Sequence, residues 1–309
     1  MEKKCFICKK SGIKFLLNKD GYDLWHCKKC KLNFIYPQPT EKELQYVYSL
    51  DGGYSHSSKG FDKNIISTNK NPKINFLLKM DRKKILDVGC ASGSFVYAAK
   101  MAGLDPTGID IDKDSIKFGQ KEGLDLRHGS IYDMKFKQEC FDAIVLGDII
   151  EHVKDPKKFL KECLRILKKN GILIISTPNT NSFFPMATKW IYEKVKIMWS
   201  HSTPPYHLFD FSDENLSSLL KDYGLSIKTI TYSKIPLMYS IYHTGYFNEL
   251  RKNMNGTSGK DVMKGLIKSF NLKMIKGGLV VFLYGLTHIL DKLFCKKGDQ
   301  MIIYSMKNN

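Results

Sequence analysis

Residues 85–95 read Ile85-Leu86-Asp87-Val88-Gly89-Cys90-Ala91-Ser92-Gly93-Ser94-Phe95, an apolar strand that runs into a glycine turn and then into a helix. Glycine lets the backbone approach a ligand where a Cβ would collide with it. A dinucleotide-binding turn reads G-x-G-x-x-G, whereas this frame is D-x-G-x-A-x-G. Its acid, Asp87, suits an ammonium or sulfonium group better than a phosphate. A tight turn without a ligand is the alternative.

A second acid stands at the end of the next predicted strand, in Gly108-Ile109-Asp110-Ile111-Asp112. Asp110 follows Gly89 by 21 residues, and the carboxyl ends of neighbouring parallel strands meet at one edge of a sheet. A carboxylate at that edge can accept hydrogen bonds from both hydroxyls of an adenosine ribose. As an alternative, Asp110 would cap the following helix, a task that Asp112 or Asp114 can serve instead.

Apolar runs alternate with amphipathic segments between Asp81 and Pro178, which predicts a parallel sheet with helices on both faces. The strands are predicted at 84–88, 105–109, 124–128, 141–146 and 172–177. Helices are predicted at 95–101, 115–122 and 156–168, the last ending in a basic turn and a glycine stop at Gly171. A further helix at 213–223 precedes strands at 225–233 and 300–306. We therefore predict an α/β, Rossmann-like, mostly parallel seven-stranded sheet whose last two strands form an antiparallel edge pair.

The order of these motifs resembles the class I S-adenosylmethionine-dependent methyltransferases, with Ala91 in place of the middle glycine of their usual turn. This resemblance implies that the chain binds S-adenosylmethionine through residues at the strand ends. They are Asp87, Gly89, Cys90 and Gly93 around the methionine part, Asp110 at the ribose, Ile111 on the adenine face, Ser130 and Ile131 at the adenine edge, and Gly147 beneath the sulfonium.

A narrower resemblance lies in Gly147-Asp148-x-x-Glu151-His152-Val153-x-Asp155-Pro156, Leu167-Lys168-x-x-Gly171 and Ser176-x-Pro178-Asn179, which is similar to the ubiquinone-type O-methyltransferases. The later Pro204-Pro205-Tyr206-His207-Leu208-Phe209-x-Phe211-Ser212 resembles the acceptor-side segment of the same enzymes. The resemblance implies methyl transfer to a small acceptor. His152 or His207 would take the acceptor's proton, unless these histidines serve only structure. Some of these relatives hold a divalent ion, such as Mg²⁺, at positions like Asp148, Glu151 and His152.

Four cysteines form two pairs near the N-terminus, Cys5-x2-Cys8 and Cys27-x2-Cys30. Four thiolates satisfy a tetrahedral Zn²⁺ without an open position, so this spacing predicts a structural zinc ribbon; disulfides are the alternative. A ribbon followed by Tyr36-Pro37-Gln38-Pro39 looks like the N-terminal module of many methyltransferases in polysaccharide and sugar-modification pathways. That resemblance favours a carbohydrate or glycolipid acceptor. Cys140, Cys163 and Cys295 show no metal spacing.

Three regions follow from these patterns: a zinc ribbon at 1–39, a helical connector at 40–80, and a methyltransferase domain at 81–309 with lid insertions at 179–211 and 234–297. The connector opens with a capping box at Thr40 and Glu43 and contains a Gly/Ser-rich linker at 51–60. Two apolar-aromatic stretches, 183–199 and 278–294, are predicted as amphipathic helices. They are either packed lids or oligomer surfaces, or they contact a membrane peripherally.

The net charge is +18, but 45 of the 49 basic residues are lysine and only four are arginine. Specific phosphate and base recognition favours arginine, and the lysines are spread along the chain, so we do not expect nucleic acid as a partner. The first residues lack the apolar run of a secretory signal, which predicts the cytosol. Three rival functions stay open: methylation of ribosomal or transfer RNA, carbon methylation of a sugar, and a cofactor-binding scaffold without catalysis.

Overall fold

The computed structural model describes residues 4–19, 21–48, 71–195, 204–235, 282, 284–295 and 297–309. The chain forms two compact units. Unit 1 comprises Met1–Thr177, Pro204–Thr231 and Ile302–Asn309, and unit 2 comprises Pro178–Thr203 and Tyr232–Met301. The predicted linker at 51–60 and most of the predicted lid at 234–297 lie outside the described residues.

Strands and helices are numbered here in chain order. The strands are β1 (Ile13–Lys19), β2 (Tyr22–Cys27), β3 (Asn33–Ile35), β4 (Lys84–Val88), β5 (Asp105–Asp110), β6 (Leu126–His128), β7 (Phe141–Gly147), β8 (Leu167–Pro178), β9 (Phe209–Asp210), β10 (Leu225–Ser233) and β11 (Gln300–Lys307). The α-helices are α1 (Glu41–Tyr48), α2 (Pro72–Lys79), α3 (Ser94–Met101), α4 (Lys113–Lys121), α5 (Pro156–Ile166), α6 (Phe183–Val195) and α7 (Asp213–Asp222). A π-helix follows at Asp291–Cys295.

The predicted seven-stranded sheet is confirmed, with the strand order β10-β11-β8-β7-β4-β5-β6. Strand β4 pairs in parallel with β5 and β7, and the parallel pairing continues to β6 and β8. Strands β10 and β11 run in opposite directions, because Ser226 bonds to Met306 while Ser233 bonds to Gln300. The chain order reverses between β4 and β7, and ligands of such sheets bind in the crevice outside the strand ends at this reversal.

Both faces of the sheet are buried, which explains the continuous apolar strands of the sequence. On one face Ile85 and Ile174 pack with Ile74 and Leu77 of α2 in a core cluster. The strand residues that alternate with them, such as Leu173, are also fully buried. Burial on both faces holds the carboxyl ends of these strands in a fixed arrangement.

The predicted end of the helix at 156–168 is wrong by two residues, since α5 ends at Ile166. Leu167 is 0% exposed and lies opposite Phe141 as the first residue of β8. The chain then turns at Asn170, whose φ of 57° is left-handed, before Gly171. Burial of Leu167 beside β7 therefore outweighs the helical pattern of the sequence at this point.

The small sheet has the strand order β1-β2-β3-β9. Cys27 is the last residue of β2, and the other three paired cysteines lie in the loops beside the strands. The predicted capping box at its border is present: the Thr40 N–H donates to Glu43 Oε2 at 2.7 Å, and the Glu43 N–H donates to Thr40 Oγ1 at 3.2 Å. Strand β9 comes from a distant part of the chain, with Phe209 opposite Phe34 and Asp210 opposite Asn33. The N-terminal sheet is thus completed by the segment that follows His207.

Unit 2 contains α6, a helical stretch at 284–290 and the π-helix that continues it. Asn179 is fully buried, and its side chain donates to the Gly298 carbonyl at 3.0 Å. The Ile235 N–H donates to the Asp299 carboxylate at 2.7 Å. Buried hydrogen bonds thus join the residues just before β11 to Asn179 and to Ile235. Among the described helices, none is long and apolar enough to cross a bilayer.

Candidate functional site

The turn after β4 has the backbone geometry that its glycines permit. Gly89 has a φ of +74° and donates its N–H to the Ile109 carbonyl at 2.8 Å, and a Cβ on Gly89 would collide with Ile149. Gly93 has a φ of +90°, and a Cβ there would lie 2.8 Å from a methyl group of Leu124. The turn is therefore held against the end of β5, and its bare backbone faces the strand ends.

The Asp110 carboxylate is fixed by the turn itself. Oδ2 accepts the Ala91 N–H at 2.7 Å, and Oδ1 accepts the Asp112 N–H at 2.8 Å. Burial raises the pKa of Asp110, and these hydrogen bonds oppose the shift. The helix cap is a different residue: Asp112 caps α4 and accepts the Asp114 N–H at 3.0 Å. Asp110 is thus oriented by two donors while each oxygen retains a lone pair for a ligand hydroxyl.

The residues predicted around the adenine ring occupy different environments. Ile111 is 62% exposed and offers a bare apolar surface, whereas Ile131 is only 2% exposed. Ser130 is held by Asp133, which accepts the Ser130 hydroxyl at 2.6 Å and its N–H at 2.8 Å. The Cys90 thiol is buried, and burial raises its pKa above the usual range, so it stays protonated. Ile111 is the residue best placed to cover a flat ring.

Lys73 of α2 is a site residue that the sequence analysis missed. Its ammonium group donates to Ser176 Oγ at 2.8 Å, and a Cβ on Gly147 would lie 3.8 Å from Lys73 Nζ. Burial lowers the pKa of Lys73, while the negative charges of Asp148 and Asp87 oppose that shift. The amine therefore reaches the ends of β7 and β8, next to the place predicted for the sulfonium.

One signal in the sequence could have pointed to Lys73. Asn71 caps α2 and Pro72 occupies its first turn, so Lys73 carries a positive charge at the positive end of the helix dipole. A lysine is unfavourable there unless acids compensate it. The acids that do so, Asp87 and Asp148, follow in sequence only after the helix has ended.

Asp87 is 5% exposed at the end of β4. Burial raises the pKa of its carboxyl to about 7, and the Lys73 charge opposes this shift. A buried carboxyl with such a pKa gains stability when a cation reaches it. The amino group and sulfonium of S-adenosylmethionine are such cations, and the residues at this edge fit that ligand.

His152 and His207 lie side by side, with ring centroids 4.9 Å apart in an edge-to-face arrangement. His152 Nδ1 lies 2.7 Å from the Tyr206 carbonyl oxygen. A carbonyl can only accept, so Nδ1 carries the proton and Nε2 is the basic nitrogen of the ring. Burial lowers the pKa of His152 to about 4, which keeps the ring neutral at physiological pH. The neutral His152 ring can take up a proton, and its lowered pKa makes it a weak base.

Glu151, His152 and His207 bring ligand atoms within 4.8 Å of one another. Glu151 is 1% exposed, and its carboxylate oxygens have no hydrogen-bond partner within the described ranges. Burial and the charge of Asp148 raise the Glu151 pKa well above its usual range. Mg²⁺ prefers oxygen ligands, whereas this group offers two imidazoles and does not include Asp148. The cluster therefore does not fit the Mg²⁺ site expected at Asp148, Glu151 and His152.

The four cysteines of the small sheet come together as the spacing predicts. All four sulfurs lie within 4.8 Å of one another, with 3.6 Å between Cys5 and Cys30 and between Cys8 and Cys27. With Zn–S bonds of about 2.3 Å, the sulfurs of a tetrahedral zinc site are about 3.8 Å apart. The Cys30 thiol lowers the pKa of Cys5 to about 5. The donor set therefore fits a closed zinc site.

The small sheet contacts the histidine pair through the segment before β9. The N–H groups of Leu208 and Phe209 donate to the Glu151 carbonyl at 2.8 and 3.2 Å, and the Ile35 N–H donates to the Leu208 carbonyl at 3.0 Å. Gln38 also donates to the Lys154 carbonyl at 3.2 Å. His207 is therefore held between the cysteine-containing sheet and the loop that carries His152.

Comparisons with known proteins agree with this geometry. A family model described as a methyltransferase domain matches residues 86–175. A ubiquinone biosynthesis O-methyltransferase of Pelagibacter ubique is 32% identical over 163 residues, which are 48% of this chain and 68% of that protein. The corresponding protein of Chromobacterium violaceum is 29% identical over 169 residues, 52% of this chain and 72% of that protein.

A mitochondrial relative is covered over less of its own length, and one solved structure is similar over more of this chain but at low identity. The ubiquinone biosynthesis O-methyltransferase of Rattus norvegicus is 30% identical over 48% of this chain, and the chain spans only 45% of that protein's length. The crystal structure of a SAM dependent methyltransferase from Archaeoglobus fulgidus is similar over 78% of this chain and 95% of its own, with 17% identity and a TM-score of 0.47.

Proposed function

The chain belongs to the class I S-adenosylmethionine-dependent methyltransferases, and from this premise we propose that it methylates an oxygen atom of a small-molecule or carbohydrate acceptor, including a glycolipid. The observation that carries the proposal is the pair of acids at the ends of β4 and β5. Asp110 is an oriented carboxylate that accepts the Ala91 N–H of the glycine turn, and the buried acid Asp87 lies in β4 just before that turn. These groups suit the ribose and the cationic methionine end of one ligand.

Methyl transfer is an in-line displacement in which the sulfonium S–CH₃ bond breaks as the O–CH₃ bond forms. The acceptor's hydroxyl proton must leave during or after this step, and the products are S-adenosylhomocysteine and the methylated acceptor. His152 Nε2 is the basic nitrogen of the ring, because Nδ1 donates to the Tyr206 carbonyl. We assign the proton to His152 or to the adjacent His207. No step depends on Mg²⁺.

The oxygen acceptor is supported by the ubiquinone O-methyltransferases among the relatives. The carbohydrate or glycolipid class rests on the N-terminal module, since a similar ribbon accompanies methyltransferases of sugar modification. We propose that Cys5, Cys8, Cys27 and Cys30 bind structural Zn²⁺ in this module, in agreement with their mutual distances. Reduced thiols are typical of the cytosol, and we propose that the reaction takes place there.

The test is a turnover assay of the zinc-loaded chain with labelled S-adenosylmethionine. The acceptors are nucleotide-linked sugars, short oligosaccharides, hydroxylated aromatic compounds and transfer RNA transcripts, and mass spectrometry locates the methyl group. We expect an O-methyl product. In His152→Asn or His207→Asn we expect turnover to fall by at least about 100-fold, while S-adenosylhomocysteine binding is unchanged.

If only RNA is methylated, the chain is an RNA methyltransferase and the proposed acceptor is wrong. If the methyl group is found on a carbon atom, the chain is a carbon methyltransferase. Tight cofactor binding without turnover on any acceptor would favour a scaffold. If both histidine variants retain full turnover, the proton goes elsewhere.

A further inference from the structure

The helical segment 284–295 of unit 2, together with Phe282, exposes four large apolar side chains. Phe282 is 64% exposed, Leu286 40%, Ile289 57% and Leu293 66%. Their spacings of four, three and four residues place them along one side of a helix. These four side chains are called the apolar stripe below.

The opposite side of the same segment is polar and buried. Thr287 and His288 are each 3% exposed, and Asp291 is 1% exposed. This arrangement is the reverse of a helix that packs on a globular protein in water, where the apolar stripe faces the core and the polar side faces solvent. In this segment the apolar stripe is exposed to solvent while these three polar side chains are buried.

Specific contacts fix this inverted orientation. The Asp291 carboxylate accepts the Phe183 N–H at 3.0 Å, and the Tyr284 hydroxyl donates to the Ile235 carbonyl at 2.6 Å. The His288 ring contacts the Tyr284 ring with centroids 4.1 Å apart and lies 3.8 Å from the Asp299 carboxylate. A rotation that buried the apolar stripe would break all of these contacts. The sequence therefore specifies an outward apolar stripe.

Charge indicates what covers the stripe. Unit 2 contains fourteen basic residues and five acidic residues, a net charge of +9. Lys292 is exposed and lies beside Leu293 in sequence. A second copy of the same unit would be repelled by this charge, whereas an anionic lipid surface would be attracted. An interfacial helix combines these properties: apolar side chains enter the lipid boundary, and lysines meet the headgroups.

We propose that the apolar stripe docks unit 2 on an anionic lipid surface, with the helix lying in the plane of the interface. In this proposal the apolar side chains enter only the lipid boundary, so the contact is peripheral. This inference does not depend on which acceptor the enzyme methylates.

The experiment is sedimentation of the zinc-loaded chain with vesicles of phosphatidylcholine and with vesicles of phosphatidylcholine and phosphatidylglycerol in equal amounts. The stripe variant combines Leu286→Ser, Ile289→Ser and Leu293→Ser. The matched control combines Leu78→Ser and Met101→Ser, which change side chains of unit 1 that are 47% and 61% exposed. We expect the wild type to bind the anionic vesicles, the stripe variant to bind at least about tenfold more weakly, and the control to bind like the wild type.

Circular dichroism and thermal unfolding first show that each variant is folded. If the stripe variant does not fold, Leu293→Ser alone replaces it, because Leu293 is the most exposed residue of the stripe. The proposal is overturned if the wild type does not bind anionic vesicles, or if the folded variant binds them as tightly. It is also overturned if light scattering shows a wild-type dimer that the stripe variant converts to monomer, since a second copy would then cover the stripe.

Discussion

Replacement of Asp110 by alanine tests the cofactor pocket most directly. Both carboxylate oxygens already accept backbone N–H groups, from Ala91 at 2.7 Å and from Asp112 at 2.8 Å. One lone pair on each oxygen is left for the two ribose hydroxyls. A hydrogen bond to a charged group contributes about 1.5–3 kcal/mol, but water can replace part of it in the variant. We expect a net loss of about 1–3 kcal/mol, or about 5- to 150-fold in Kd for S-adenosylhomocysteine.

The assay is isothermal titration calorimetry with S-adenosylmethionine and S-adenosylhomocysteine, with thermal unfolding measured in parallel. Asp110→Asn should not restore binding, because its NH₂ group would face one of the two backbone donors. The matched control is Asp112→Ala, which removes the cap of α4 and costs about 1 kcal/mol of stability without touching the ligand. The reasoning is refuted if Asp110→Ala binds as tightly as the wild type, or if Asp112→Ala loses as much affinity.

The remaining predictions concern Asp87 and the zinc site. Burial raises the Asp87 pKa from 3.8 to about 7. The contribution of this carboxyl to the free energy of unfolding is therefore fully present below about pH 4 and is lost as the pH rises through about 7. Asp87→Asn should therefore have a higher urea midpoint than the wild type at pH 8, with a free energy of unfolding larger by at most about 4 kcal/mol, and the same midpoint at pH 4. Equal midpoints at pH 8 would contradict this prediction. Because the two proteins are compared at the same pH, any loss of zinc affects both equally. Removal of zinc by a chelator should release one ion per chain and increase hydrogen exchange in β1–β3, while Cys140→Ser serves as a control that retains the ion. Unchanged exchange after complete zinc loss would show that the cysteines do not hold the small sheet together.

The parts of the fold that the sequence predicted are those determined by local pattern. Strand β4, the glycine turn and α3 follow one another directly, and their apolar spacing and positive-φ positions are visible in eleven residues. Helix α5 was predicted at its start, where Asp155 caps it, but not at its end. The burial of Leu167 against Phe141 depends on a partner strand that the local pattern does not contain.

Contacts between distant residues account for what the sequence did not reveal. Lys73 and Ser176 are 103 residues apart, and neither belongs to a recognisable spacing with the other. Strand β9 has only two residues and pairs with a strand near the N-terminus, so no periodicity predicts it. The proximity of His152 and His207 was not predictable for the same reason, although each was singled out from its own motif.

The pairing of β3 with β9, at Phe34 and Phe209, would link metal supply to catalysis if the four cysteines bind zinc as we propose. Cofactor capture, as we propose it, uses carboxylates at the ends of β4 and β5. His207, in contrast, directly precedes the segment that pairs with the cysteine-containing sheet, and the proposed zinc ion would stabilise that sheet. A cell starved of zinc would then contain chains that still sequester the methyl donor but no longer deliver its methyl group.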